Sequence, residues 1–173
     1  AAEEAIYAVE DTLNDIKALF NNAKNLQATI EKSINENSEL KKEVESFRQQ
    51  KVEELKNKLV AAAKDENGVK VVTNVLPIPA NSAKDLVFKI REAIPEHLVC
   101  VIGSIANDKP MLSVMFSEDM VKEHNLNAGK IIREAAKLIK GGGGGQPHYA
   151  QAGGKDKDGL TAAIEKVVEL CQL

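Results

Sequence analysis

Apolar residues recur along the first third of the chain at helical spacing. Ile6, Val9, Leu13, Ile16, Phe20 and Ala23 alternate between three and four residues apart, as the a and d positions of a coiled-coil seam do. Asn21, Asn22 and Asn25 then cluster. Asparagine is a poor helix-interior residue because its side chain competes for backbone hydrogen bonds, so a turn is expected there. The period resumes through Leu26, Ile30, Asn37, Leu40, Val44, Phe47, Leu55 and Leu59, and Asp65, Glu66, Asn67 and Gly68 offer a left-handed stop. A helix over about 25–64 is roughly 60 Å long, too long to bury its seam on a small globule alone. It is expected to fold back on the first helix, to pair with a second chain, or both. Leu40, Val44, Phe47, Leu55 and Leu59 are the expected dimerisation seam. The plain alternative is a helical spacer.

Beyond residue 68 the pattern alternates. Val69–Leu76 is rich in β-branched residues and reads as a strand, closed by Pro77 and Pro79. Asn81 or Ser82 can cap a helix through Ile94, stopped by Pro95. Leu98–Ile105 reads as a buried strand. Asn107, Asp108, Lys109 and Pro110 turn the chain into Met111–Phe116, its expected antiparallel mate. A helical turn follows near Ser117–Glu123. Asn127 then caps a helix over Ala128–Lys140, and a last helix runs from about Asp158 to Leu170. The expected fold is α+β: a helical hairpin or coiled-coil arm over 1–67, then a small mixed α/β domain over 68–173, ordered β-α-β-β-α-glycine loop-α.

Composition supports this division. Residues 1–68 contain no proline and one glycine, while all five prolines and ten of the eleven glycines lie beyond. The first part holds 10 Lys and Arg against 14 Asp and Glu, the second 13 against 12. The net charge of −3 promises no strong polyanion affinity for the chain as a whole. Aromatic residues are only 3%, so the core must be aliphatic. No apolar run reaches the roughly 18–20 residues of a membrane helix. Cys100 and Cys171 form no CxxC pair, which argues against a zinc site or disulfide framework and fits a reducing cytosol. The start at Ala1, without methionine and inside a helical pattern, reads as a piece of something larger.

The chemistry concentrates between Lys130 and Lys157. Gly141, Gly142, Gly143, Gly144 and Gly145 follow a helix directly, more glycines than a C-cap needs. The flanking Gln146, Pro147, His148 and Tyr149, then Gly153 and Gly154, are unlike a flexible linker. Lys130, Arg133, Lys137 and Lys140 recur on one helix face, and Lys155 and Lys157 follow the glycines. Residues 130–157 thus hold six cations against Glu134 and Asp156. Glycine amides beside a basic face form a phosphate-binding composition. The alternative is an ordinary solvated face, and the helix C-terminus aimed at the run is electrically negative. GxxxxGK[ST] and GxGxxG are both absent, and His97, His124 and His148 make no metal motif. His97 and His124 read as surface residues, and His148 lacks a visible nucleophile or metal partner for general-base work. Asp156 and Asp158 fit an N-cap better than a calcium loop, whose twelfth position would be Val167. Tyr149 alone is too little aromatic surface for a base-stacking platform.

The stretch from Gly141 through Gln146-Pro147-His148-Tyr149 and Ala150-Gln151-Ala152 to Gly153-Gly154 resembles the glycine-rich signature GGGGGxPxxAQAGG that ends alanyl-tRNA synthetases. The VKVVTNVL, IGS and MLSVMF strands and the last helix follow in that family's order, so the resemblance covers all 173 residues, above all 69–173. It implies a non-catalytic, cytoplasmic terminal domain. Its globule would bind the corner of tRNA(Ala) where the D and T loops meet, and its helical part would mediate a homodimer. It would thereby help aminoacylation and editing act on one tRNA. No cofactor is expected in this segment; ATP and zinc would belong to catalytic and editing domains upstream. The chain also resembles, more distantly, the substrate-binding domain of DHH-type phosphoesterases. There a histidine directly after the glycines contacts nucleic acid; here Gln146 and Pro147 intervene. A nucleic-acid-binding phosphoesterase domain and a purely structural dimerisation module are the alternatives. The six cations, with the amides of Gly141–Gly145, Gly153 and Gly154, are expected on RNA phosphates. Gln146, His148 and Gln151 are expected at sugar or base edges. Six phosphate contacts predict a salt slope of about −4.

Overall fold

The computed structural model describes residues 2–172. Ala1 and Leu173 lie outside them, and with Ala1 the expectation that the chain begins inside a helix. The chain forms two compact units, one ending at Phe47 and the other beginning at Arg48. No helix among the described residues is long and apolar enough to cross a membrane.

The first unit holds helix α1 (Ala2–Leu19) and the first part of helix α2 (Leu26–Ala61). The turn falls where asparagines cluster: Asn21 and Asn22 take left-handed backbone angles, φ 55° and 54°, which asparagine tolerates better than most residues. Asn25 then accepts a hydrogen bond from the Ala28 amide through Oδ1 at 3.1 Å, satisfying one of the orphan donors of α2. The seam residues Ile6, Val9, Leu13, Leu40, Val44 and Phe47 are all exposed.

The second unit is a six-stranded sheet with helices on both faces. Its strands are β1 (Lys64–Glu66), β2 (Val69–Leu76), β3 (Leu98–Ala106), β4 (Lys109–Phe116), β5 (Gly142–Gly145) and β6 (Tyr149–Gly153), in spatial order β1-β2-β3-β4-β6-β5. β2 and β3 run parallel around helix α3 (Ala80–Ala93); every other neighbouring pair is antiparallel. One face packs Val72, Leu98, Cys100, Ile102 and Met115 against α3 and the end of α2. The other packs Val99, Val101, Leu112, Val114, Phe116, Ala150 and Ala152. It is covered by short helix α4 (Glu118–Lys122), by α5 (Ala128–Ala135) with its 3-10 continuation Ala136–Ile139, and by α6 (Leu160–Cys171). Burial pushes the Cys171 thiol up to about 12, and Cys100 is buried completely, so both are inert side chains of the core.

Four expectations need correction. The Asp65–Gly68 segment is a hairpin rather than a helix stop. α2 ends at Ala61, Glu66 pairs with Val69, and Asn67 and Gly68 both have positive φ, the requirement of a two-residue type I′ turn. α3 starts after Pro79 with no side-chain cap; Asn81 Oδ1 instead accepts from the Ser82 amide. The last helix begins at Leu160, and Asp156 Oδ1 accepts from the Asp158 amide ahead of it. Finally, Leu55 and Leu59 do not continue an open seam. Leu59 is 7% exposed in the globule's core, beside Val52, and Leu55 packs against the same cluster. Ion pairs Arg48–Asp85 and Lys89–Glu53 tie this end of α2 to α3. Leu59→Ala is therefore expected to destabilise the globule by about 2 kcal/mol, and exposed Leu40→Ala by a few tenths at most. Urea unfolding monitored by far-UV circular dichroism measures the contrast; equal costs would return Leu59 to the seam.

Candidate nucleic-acid interface

The glycine run is a strand. Gly142, Gly143, Gly144 and Gly145 pair antiparallel with Gly153, Ala152, Gln151 and Ala150. Glycine is depleted in strands, so its partners must impose the conformation. β6 lies between β4 and β5, and the glycines let the edge strand come unusually close to it. A Cβ on Gly143 would stand 2.1 Å from the Gln151 carbonyl oxygen, and one on Gly145 2.3 Å from that of Tyr149. A Cβ on Gly129 in α5 would meet the Gly145 carbonyl oxygen at 2.7 Å. Most of the close approach the sequence implies is therefore backbone against backbone within the protein.

This narrows the expected amide donors. The Gly141 amide donates to the Ala136 carbonyl and the Gly154 amide to that of Pro110, both at 3.0 Å. Gln146 donates to the Tyr149 carbonyl at 2.7 Å. From that pair the ladder's alternation turns Gly142 and Gly144 toward β6 and leaves the amides of Gly143 and Gly145 on the outer edge.

The helix before the glycines also differs from the expected Ala128–Lys140. Asn127 caps it, with Oδ1 accepting from the Lys130 amide at 3.0 Å. It changes to 3-10 geometry at Ala136 and ends on left-handed Lys140, φ 49°. β5 then runs back beside it: the Ala128 amide donates to the Pro147 carbonyl at 2.8 Å. The glycine strand thus spans the helix from C-terminus to N-terminus instead of merely facing the negative end.

All six predicted cations are exposed, but they are not equivalent. Lys137 pairs with Glu134 at 2.6 Å, Lys140 with Asp156 at 2.8 Å and Lys157 with Asp108 at 2.8 Å. The Lys140 hydrogen bond holds Asp156 below the usual carboxylate range, and Lys157 does the same for Asp108. Lys130, Arg133 and Lys155 form no ion pair among the described residues. The Arg133 guanidinium lies over the strand, its nitrogens 3.7 and 3.8 Å from where a Cβ on Gly144 would be. Such exposed pairs hold weakly, so the three paired lysines stay recruitable.

The polar residues divide. Gln146 is exposed and His148 half-buried, its carbonyl accepting from the Phe116 amide at 2.8 Å. Gln151 is turned inward: its Nε2 donates to Ser113 Oγ at 3.1 Å and to the Ala80 carbonyl at 3.3 Å. Through these two bonds it braces β6 against β4 and α3. Tyr149 packs its ring on Phe88, centroids 5.0 Å apart, and burial raises its hydroxyl to about 12. Lys109 was missed. It lies on β4, more than twenty residues before the basic stripe, and the Met111–Gly153 pairing brings its strand beside the glycines; nothing local in the sequence signals this.

The model of the DHHA1 domain matches residues 68–173. The chain belongs to the DHHA1 family. It is 50% identical over 168 residues to an alanine–tRNA ligase of Bacteroides fragilis, covering 97% of this chain and 19% of that protein. Against the alanine–tRNA ligase of Porphyromonas gingivalis it is 38% identical over 173 residues, covering 99% and 20%. The chain therefore spans about a fifth of the length of these relatives. Among solved structures it resembles the C-Ala domain of the Aquifex aeolicus alanyl-tRNA synthetase. That match has a TM-score of 0.55 and 29% identity over 64% of this chain and 99% of that one. An exonuclease RecJ bound to manganese shares the fold at TM-score 0.52 and 18% identity, covering 85% of this chain and 32% of that one. The DHHA1 chain is thus homologous to the C-terminal domain of alanyl-tRNA synthetases, with the α+β fold expected of it.

Proposed function

We propose that this chain is the non-catalytic, RNA-binding C-terminal region of a cytoplasmic alanine–tRNA ligase. The observation that carries the reading is the set of unpaired, exposed cations Lys130, Arg133 and Lys155 around an edge strand made of glycine. Such a strand carries no side chains to hold a phosphate backbone away. Its partner is tRNA(Ala), held at the D-loop/T-loop corner. The domain helps aminoacylation and editing act on the same molecule. ATP chemistry and any zinc belong to other domains of the parent enzyme, and no cofactor is assigned here. The exposed Leu40, Val44 and Phe47 support a second role, a homodimer joined through the arm.

Sedimentation of the chain with and without tRNA(Ala) tests both roles. The expected result is a dimer that co-sediments with tRNA, and Val44→Asp with Phe47→Asp is expected to yield a monomer that still binds. A dimer indifferent to tRNA would leave only the structural module. Hydrolysis of short oligonucleotides by the chain would instead favour the phosphoesterase reading.

A further inference from the structure

Two glycines of the run, Gly142 and Gly144, are not required by the packing; a Cβ on Gly144 would stand in ordinary contact with the Arg133 guanidinium, 3.7 and 3.8 Å away. A Cβ on Gly142 would have no atom within 4 Å, and its φ is not in the left-handed region. Gly143 and Gly145, by contrast, are forced by the carbonyls of β6. The open side of Gly142 lines a groove of about 380 Å³ whose walls include Lys109, Met111, Lys140, Gly153 and Lys155. Three lysines thus converge on a floor of glycine backbone. Among the described residues the only carboxylate paired with any of the three is Asp156, on Lys140 at 2.8 Å. Asp108, on the neighbouring turn, is held by Lys157 at 2.8 Å.

We propose that this groove seats a backbone phosphate of the bound RNA, with Gly142 kept bare so that the phosphodiester can approach the strand. Lys109 and Lys155 contact it directly, and Lys140 joins once it leaves Asp156. Asp156 is then an internal competitor for Lys140, and its charge sets the affinity of the site. The proposal rests on the RNA-binding reading and adds residues and an antagonist to it. Charge complementarity selects an anionic occupant: an apolar or basic peptide would leave three ammonium groups unmatched, and the RNA backbone offers the phosphate.

The test is binding of a tRNA(Ala) transcript by the 173-residue chain, read by fluorescence anisotropy across a salt series. Gly142→Val places a branched side chain at the groove, its Cβ with no atom within 4 Å, and is expected to weaken binding about tenfold at unchanged Tm. Lys109→Ala is expected to weaken binding and flatten the salt slope by about 0.7. Asp156→Asn keeps the Oδ1 acceptor for the Asp158 amide but frees Lys140, and is expected to tighten binding about threefold. A merely structural Asp156 would give no gain. If Gly142→Val lowers the Tm, Lys109→Glu at the exposed start of β4 decides in its place. Wild-type binding that none of these variants changes overturns the groove and leaves the RNA-binding reading intact. A wild-type chain that binds no tRNA overturns both.

Discussion

Removing Lys130, Arg133 and Lys155 together, by alanine substitution, is expected to halve the electrostatic contribution to tRNA binding while leaving the fold intact. None of the three makes an ion pair among the described residues, and all are exposed, so their loss removes charge without orphaning a carboxylate. With six phosphate contacts the salt slope is about −4, so raising salt from about 50 to 200 mM should cost the wild-type chain roughly 300-fold in affinity. With three contacts left the slope falls to about −2, and the same change should cost the variant only roughly 20-fold. A filter-binding titration at four salt concentrations yields both slopes. Parallel lines would show that these cations do not touch phosphate. Substituting Lys137, Lys140 and Lys157 instead should flatten the slope less, because each already spends part of its charge on Glu134, Asp156 or Asp108.

What the sequence could reveal follows from where each conformational preference originates. β2, β3 and β4 were legible because β-branched and apolar side chains favour a pleated, buried surface. The asparagine turn of the arm was legible because asparagine carries its own reason to leave a helix. β5 was not: a run of glycine has no side chain through which a strand could announce itself, and its conformation is imposed by β6 and α5. Leu55 and Leu59 keep the seam's period, but a period shows only that a face is apolar, not which surface covers it. The core claims them because α2 continues onto α3. The Asn67-Gly68 hairpin is a different case: Asn-Gly suits a type I′ turn as well as a left-handed helix stop, and the short strand Lys64–Glu66 ahead of it decides between them. The charge stripe placed six cations correctly on the surface. Which of them are held by acids depends on Asp108 and Asp156, and Asp108 reaches Lys157 only through the fold.

The deepest consequence of β5 concerns stability, because the site and the fold share the same glycines. Gly143→Val is expected to cost more than any loss of an exposed cation, roughly 3 kcal/mol. The new Cβ would stand 2.1 Å from the Gln151 carbonyl oxygen and 2.4 Å from the Ala152 Cα. Backbone cannot yield as a flexible side chain does, so β5 must pull away from β6. That would uncover Ala150 and Ala152, which are buried against the α5 side of the core. At roughly 2–4 °C per kcal/mol for a chain of this size, the Tm should fall by about 6–12 °C. Calorimetry of Gly143→Val beside Gly142→Val separates the two demands on the run. A fall confined to Gly143→Val means that the packing requires alternate glycines and that the others are free for the ligand. Equal falls would mean that the strand tolerates no side chain on either face, and bare backbone at Gly142 would then need no functional explanation.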